Sequence, residues 1–524
     1  MPVIAKFVLL SIVEKKSTSR LERTSPLEKI SPITHRHPMI RHLITTLLAA
    51  VTLFSQAHAE EIKLRATMPS DNTPRGDWWS LYQDKTLSGL MQSAAKANND
   101  IKVAALRFEQ ARALAKLARS AFFPSVNLNP AINNQSTSGN TIVPFDPGGR
   151  IFSGNTFNVP LDVSYELDIW GRVRLGHTAA KEDAAAAAAL IYQVTLAVQA
   201  EVAQNYFGLR ALDAEIYQLQ EAIKLLTEAE NIATAKQKAG TATDVEVARA
   251  RGETAAQQAA LVALQSQREQ LQNAIAVLCA SKPSSFSIAT RGATNLTPPS
   301  LPTAVPSDLL QRRPDIAAAE RALNASIARL KIAERAGYPS LSLGGNAAFT
   351  SGKLSTLFTS GSENWIIGPV LNLPIFSGGK NAANLASQTA ATEIALVQYQ
   401  QTILLSFAEV ENQLTALKHL RDQLGYQVTA SQQADQARDA AKSRYTSGAG
   451  SYLESLEAQR NSIQSQRLIQ QTRGQELIAS VTLVKAIGGG WNSKLPSPPT
   501  PQVVAKSPEE ESKKPGFFRR LFSR

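Results

Sequence analysis

Between Phe157 and Leu167 apolar residues fall on every odd position (Phe157, Val159, Leu161, Val163, Tyr165, Leu167), and every even position except Pro160 is polar (Asn158, Asp162, Ser164, Glu166). A period of two places the apolar set on one face of an extended strand. Three other stretches alternate in the same sense: around Val126 and Leu128, through Leu341, Leu343 and Ala347, and through Trp365, Ile367, Leu371, Leu373 and Ile375. After the second and fourth of these strands the chain runs without proline, over 161–282 and 375–495. In the first such region Val194, Val198, Val202, Tyr206, Leu209, Ile216 and Leu219 recur at helical spacing. A helix from about residue 174 to 239 would be roughly 100 Å long, which demands helical neighbours along its length. Gly240 splits the first region near its middle, and Gly448 and Gly450 split the second, so each predicts a pair of long helices.

The same order of elements occurs twice. Asp100-Ile101 is echoed by Asp315-Ile316, and AFFPS (121–125) by AGYPS (336–340); Glu201-Val202, Leu209 and Gly240 are echoed by Glu409-Val410, Leu417 and Gly448. Two structural repeats, 100–281 and 307–490, each holding a helix, two strands and a long helix pair, account for this pattern. The stretch 282–306, with Pro283, Pro298, Pro299, Pro302 and Pro306, reads as an extended linker. Segment 60–99 precedes the repeats, and 491–524 reads as a solvated tail.

Strands of about ten residues with one apolar face have the length that crosses a bilayer within a barrel. Four cannot enclose a lumen, and an open edge in lipid leaves backbone groups unpaired. Several copies are therefore expected to pool their strands, with the polar face inward. Trp170-Gly171 follows the second strand, and Phe376, Gly378 and Gly379 follow the fourth. An interfacial tryptophan and a flexible glycine are what a turn from sheet to helix at the membrane surface calls for.

Composition narrows the function more than the fold. Formal net charge is +12 over 524 residues, but residues 1–59 hold eight Lys/Arg against three Asp/Glu, leaving +7 spread too thinly for a nucleic-acid partner. From Met39 the chain has a basic n-region with Arg41, an apolar run from Leu43 to Phe54 and Ala57-His58-Ala59, which reads as a signal peptide over 39–59 after an upstream extension, 1–38. Elsewhere no apolar run approaches membrane-helix length, so strands are expected to make any crossing. Cys279 is the only cysteine, and His177 and His419 are the only histidines after the leader. Each histidine reads as a solvated helix residue. That inventory excludes a disulfide framework and offers neither a metal centre nor a His-based catalytic set, so no cofactor and no enzyme activity are expected. Met68 and Met91 form no soft-ligand cluster.

DWWSLYQDKTLSGL (77–90), YELDIWGRVRLG (165–176), RRPDIAAAE (312–320) and RYTSGAGSYLESLEAQR (444–460) resemble the outer membrane efflux proteins typified by TolC, and more closely the OprM/NodT branch, over about 75–491. The resemblance implies a mainly α fold with a membrane β-barrel part: a homotrimer in which twelve strands, four per chain, form one outer membrane barrel continued by a periplasmic α-helical barrel. It implies an exit duct of a tripartite pump, with a periplasmic adaptor docked on the tip turns (Gly240, Thr241, Gly448, Ala449, Gly450) and an inner membrane transporter of the resistance-nodulation-division type supplying energy. Drugs or other small molecules would be the cargo; the alternative is the outlet of a type I protein secretion system. Many members of the branch carry a lipidated cysteine at the mature N-terminus, where this chain has Ala59-Glu60, so no acyl anchor is expected.

By motif the resemblance places an aperture at Asp244, Glu454 and Glu457 and a gate tyrosine at Tyr445. Glu454 and Glu457, at i and i+3, share a helix face, and threefold symmetry would gather their carboxylates around a narrow, cation-preferring axis. A gate arginine of the family is replaced here by Gly450, which argues against a salt-bridged latch. Ser451-x-x-Glu454 and Thr243-x-x-Glu246 also read as helix N-caps, a role compatible with lining an aperture. RRPD (312–315) reads as a structural helix start.

Overall fold

The computed structural model describes residues 77–136, 153–292, 298–299 and 313–489. The expected leader, residues 60–76, residues 293–297 and 300–306 of the linker, and the tail lie outside these residues. The helices are α1 (Lys85–Ala97), α2 (Asn99–Ser120), α3 (Arg172–Lys238), α4 (Asp244–Leu278), α5 (Pro314–Glu334), α6 (Lys380–Thr446) and α7 (Tyr452–Ala486). The strands are β1 (Ser125–Leu128), β2 (Ala131–Ser136), β3 (Ser153–Leu167), β4 (Ser340–Ser351) and β5 (Glu363–Asn372). The repeat is visible in length: α3 and α6 have 67 residues each, α4 and α7 35 each.

All strand pairs are antiparallel. β1 and β2 pair with β3 in one continuous register, Ser125 opposite Ser164 and Ser136 opposite Ser153, so they are a single strand interrupted at Asn129-Pro130. Pro160 of β3 stands opposite Asn129 and accepts its N–H at 3.3 Å but, as a proline, returns no donor, so the ladder loses a bond there. Asp162 spans the gap by accepting from Asn129 Nδ2 at 3.3 Å and Asn346 Nδ2 at 2.7 Å. The sheet thus has four strand positions in the order β1/β2, β3, β4, β5.

Directly paired residues share a face, so the register sorts the sheet. One face carries Val126, Leu128, Phe157, Val159, Leu161, Val163, Leu341, Leu343, Phe349, Trp365 and Ile367; the other carries Asn127, Asn129, Asn158, Asp162, Ser164, Asn346, Thr350 and Asn364. Two details depart from the alternation read in the sequence. Ile366 and Val370 stand on the polar face, 71% and 55% exposed, and Leu373 and Ile375 lie beyond the end of β5.

Near the sheet the helices pack in the order α2, α3, α5, α6, following the strands to which they are joined; farther away the order is α4, α3, α7, α6. α4 therefore takes over from α2, and α7 from α5, beside the two continuous long helices. The handover is sealed by side chains. Asn98, the N-cap of α2, donates to the carbonyl of Leu278 at the end of α4 (2.9 Å), and Arg313, before α5, donates to the carbonyl of Ala486 at the end of α7 (2.8 Å). Each bond satisfies a terminal carbonyl and stacks one helix dipole head to tail on the next. From Arg313 on, RRPD starts a helix, as its sequence reads. Arg313 is buried and also pairs with Asp315 (2.7 Å) and with Glu409 of α6 (2.7 Å), and both carboxylates hold the guanidinium charged against the cost of burial.

The largest core lies halfway along α3. There Trp78, Leu87, Met91, Tyr206, Phe207, Ile275 and Val481 are fully buried where a 3-10 turn (Trp78–Tyr82) and α1 pack on α3, α4 and α7. Gly474 lies so close to Ala211 that a Cβ there would meet its methyl group at 2.5 Å, so the close contact of α7 with α3 requires glycine at this position.

One sequence-based expectation needs correction. By length and composition α3 has a stretch apolar enough to cross a membrane. The stretch is dominated by the alanine run 184–189, which no single apolar block announces. Here α3 packs between α2 and α5, bonded to α5 through Arg321–Glu182 and Arg329–Asp183, so small side chains serve close helix packing. His177 also differs from its reading, standing half-buried with its ring 5.6 Å from Phe122.

Candidate functional site

The two long hairpins turn with the same backbone chemistry. At the end of α3, Gly240 N–H bonds Gln237 O and Thr241 N–H bonds Lys236 O; at the end of α6, Gly448 N–H bonds Tyr445 O and Ala449 N–H bonds Arg444 O. These are Schellman motifs, and Gly240 (φ 74°) and Gly448 (φ 81°) occupy the left-handed position that glycine adopts without strain. Thr243 and Ser451 then cap α4 and α7 by accepting from the N–H of Glu246 and Glu454 (3.3 and 3.1 Å). The caps read in the sequence are present, and Gly240, Thr241, Gly448 and Ala449 are exposed, with Gly450 half-buried, at the end of the helices farthest from the sheet.

The structure brings the two turns together. Ala233, Val247 and Ala250 of the first hairpin pack against Tyr445, Tyr452 and Leu456 of the second. Tyr445 is 7% exposed; its hydroxyl donates to Glu246 Oε2 at 3.3 Å, and its ring stands edge-on to Tyr452, centroids 5.3 Å apart. Lys236 closes the arrangement from above, with Nζ 4.0 Å from the ring centre and donating to Tyr445 O at 2.6 Å. Burial, and then the nearby Glu246 charge, push the Tyr445 hydroxyl up to about 12, so it stays protonated as a donor. Burial and the Glu253 carboxylate raise Tyr452 in the same direction.

The acids expected at an aperture are held differently. Asp244 is exposed as the first residue of α4 and accepts from Gln237 Nε2. Glu454 is exposed, accepts from Arg444 Nη1 at 2.9 Å and presents its N–H to the cap. Glu457 is exposed one turn further on. Gly450 does not prevent an ion pair at the tip, because Arg444, six residues earlier, supplies the cation. Such an exposed pair contributes about 0–1 kcal/mol, enough to orient Glu454 and too little to lock a helix.

Stronger fastenings lie where the sequence reading did not look. Glu253 of α4, with a 3% exposed side chain, is clamped by Arg460 of α7, and Glu215 of α3, also 3%, by Arg467 of α7 at 2.8 Å. Both join the first hairpin to the second. The available signal was position: Glu253 sits on the stripe Val247, Ala250, Leu264 and Ile275 that faces the neighbouring helices, where a lone charge calls for a partner.

At the other end of α3, Trp170 is 46% exposed, its Nε1 donates to Pro339 O at 2.6 Å and its ring lies 5.2 Å from Tyr338. Gly171 (φ 77°) precedes α3, and Asp168 caps it by accepting from the N–H of Val173 and Arg174, both 2.9 Å. In the second repeat Gly378 and Gly379 are both left-handed and Phe376 is 90% exposed. The first junction is thus clasped to the turn between α5 and β4, and the second presents a bare aromatic.

These features can be set beside known proteins. The family model for outer membrane efflux proteins matches residues 90–281 and 305–489. The toluene efflux pump outer membrane protein TtgC of Pseudomonas putida is 32% identical over 426 residues, 79% of this chain and 85% of that protein. The outer-membrane channel OprN superposes with a TM-score of 0.76 at 28% identity, over 82% of this chain and 96% of OprN, and the Campylobacter jejuni outer membrane channel CmeC with 0.75 at 28% identity, over 83% and 92%. With a sheet sorted into two faces, helices that hand over in stacked pairs, and a family match across both repeats, the chain belongs to the outer membrane efflux protein family and has the fold of its TolC-like channels.

Proposed function

We propose that three copies of this chain close one twelve-stranded barrel and one helical duct, forming the exit of a tripartite pump that moves small molecules out through the outer membrane. The observation that carries this reading is that sheet and helix array run out of neighbours on the same two sides. β1/β2 and β5 are the edge strands, and α2 and α6 are the edge helices beside them. α2 exposes Val103, Leu106, Leu114 and Leu117, and α6 exposes Ile394, Val397, Leu404 and Leu405. An apolar helix face beside an unpaired strand on either side fits a heterologous contact that repeats until the ring closes. Covering those eight half-exposed side chains would contribute on the order of 10 kcal/mol per interface.

The polar sheet face then lines the lumen and the apolar face meets lipid. The exposed tip turns offer a periplasmic adaptor its docking points, and Asp244, Glu454 and Glu457 line an aperture that the Tyr445 cluster keeps shut. The name of the relative TtgC supports small apolar compounds as cargo, and a resistance-nodulation-division transporter as the energy source fits the same class of pump. Two measurements test the reading. Planar-bilayer conductance of the purified protein is expected to be small and cation-preferring, and to rise when Asp244, Glu454 and Glu457 are replaced by Asn and Gln; an unchanged conductance would remove those acids from the gate. A deletion strain is expected to accumulate toluene and drugs while still secreting protein toxins, and the opposite pattern would make the protein a secretion outlet.

A further inference from the structure

Beside the core halfway along α3, four cations face two carboxylates. Arg210 and Arg268 both pair with Asp213, at 2.8 and 2.5 Å, and Arg291 pairs with Asp84 at 3.0 Å. Arg210 Nη1 and Arg268 Nη2 also donate to the carbonyls of Ala289 and Ile288, both at 2.8 Å, which pins segment 286–291 across α3 and α4. Lys85, exposed at the start of α1, is the fourth cation. Arg210 and Arg268, 2% and 11% exposed, share the one Asp213 carboxylate, so one excess charge is poorly solvated, and the second rests on exposed Lys85. The Arg210 guanidinium lies 4.8 Å from the centre of the Tyr206 ring, and its Nε is buried with no hydrogen-bond partner among the described residues.

Lys85, Arg210 and Arg291 line an open depression of about 390 Å³ whose wall contains no carboxylate. Thr86, Ser93 and Ser287 also line it, Thr86 Oγ1 accepting from Arg291 Nη2 at 3.2 Å, and Leu90, Phe286 and Ile288 give it an apolar side. We propose that this depression binds a soluble phosphate monoester, with the phosphate among Lys85, Arg210 and Arg291 and the organic group against Phe286 and Leu90. A dianionic oxyanion matches the excess of two positive charges and supplies acceptors in the fork geometry that guanidinium groups prefer. The depression is larger than phosphate alone requires, and its apolar wall suits an attached ring or sugar. Arg210 follows the start of α3 by about 57 Å of helix, which places the site far from the lipid around the sheet and selects a soluble ligand over a lipid headgroup. Bound there, the ligand would tie α1, segment 286–291 and α3 together. This site is independent of the duct reading.

The test uses the full chain in detergent, titrated calorimetrically with phenyl phosphate, inorganic phosphate and benzyl alcohol at matched ionic strength. Phenyl phosphate is expected to bind at least tenfold more tightly than inorganic phosphate, and benzyl alcohol not at all. Lys85→Glu should weaken phenyl phosphate at least tenfold, whereas Lys102→Glu, an exposed charge change elsewhere, should leave it unaltered. Arg291→Gln gives a second loss on the same wall. Absence of binding above the matched-salt control, or equal binding by wild type and Lys85→Glu, would overturn the proposal.

Discussion

The two ends of the long helices are held by different forces. At the sheet end, register does the work. Eleven residue pairs join β3 to β4 alone, and side chains only decide which face meets which solvent. At the tip no backbone ladder joins the hairpins, and contact rests on two small apolar clusters, the Tyr445–Glu246 and Lys236–Tyr445 bonds, the Lys442–Glu228 ion pair and the two buried carboxylate–arginine pairs above them. A ladder opens cooperatively or not at all, whereas a few side-chain bonds can be exchanged for others at modest cost. The tip is therefore the end built to change.

The largest effect should come from the sheet. Leu161→Arg puts a charge on the apolar face near mid-strand, at about 2–4 kcal/mol per chain, and should abolish the heat-modifiable assembled band on gels. Asn158→Arg, on the opposite face, should assemble normally; equal failure of both would mean that the two faces do not meet different solvents. Next come the helix handovers. Arg313→Ala leaves half-buried Asp315, exposed Glu409 and a terminal carbonyl without their donor and should cost about 2 kcal/mol, while Asn98→Ala at the equivalent handover of the first repeat should cost about 1 kcal/mol; thermal unfolding would rank them.

At the tip the order reverses, with small stability effects and large functional ones. Tyr445→Phe and Lys236→Met should each shift unfolding by no more than about 1 kcal/mol yet raise conductance several-fold, and a large melting shift with unchanged conductance would make the cluster purely structural. pH sharpens the point. Because the Tyr445 hydroxyl is raised to about 12, its contribution is complete below the ordinary tyrosine value near 10 and is lost as pH climbs through 10 to 12. Conductance should therefore rise over that alkaline window, and Tyr445→Phe should flatten the rise. The smallest change expected is a gain. Ala280 (φ 51°) holds the left-handed position that glycine holds in the other three hairpin-helix endings, so Ala280→Gly should stabilise by about 1 kcal/mol in chemical unfolding.

Much of this architecture was legible because it follows from periods and breakers. The odd-numbered apolar run 157–167 became β3, the proline-free stretches became hairpins of equal length, and Gly240 and Gly448 became the turns. What escaped depends on residues meeting across the fold. The interruption at Asn129-Pro130 follows from Pro160 arriving on the next rung, and Ile366 and Val370 join the polar face only once β5 has its register. The handovers need Asn98 to meet Leu278 and Arg313 to meet Ala486. Of the candidate site, the turns and Tyr445 were readable from local motifs. Arg444 reaches Glu454 only because the turn at Gly448 folds the two helices back on each other, and Lys236, Glu253 and Arg460 act through partners that local spacing does not reveal.

The central claim is that one chain supplies too little edge to close a cylinder and that identical copies complete it. Native mass spectrometry of the detergent-extracted protein, with cysteines placed at Leu114 of α2 and Val397 of α6 and then oxidised, tests it most directly. The account predicts a trimer whose chains become covalently linked in a ring. A monomer that stays soluble without detergent, or a complex in which those two helices never cross-link, would contradict it.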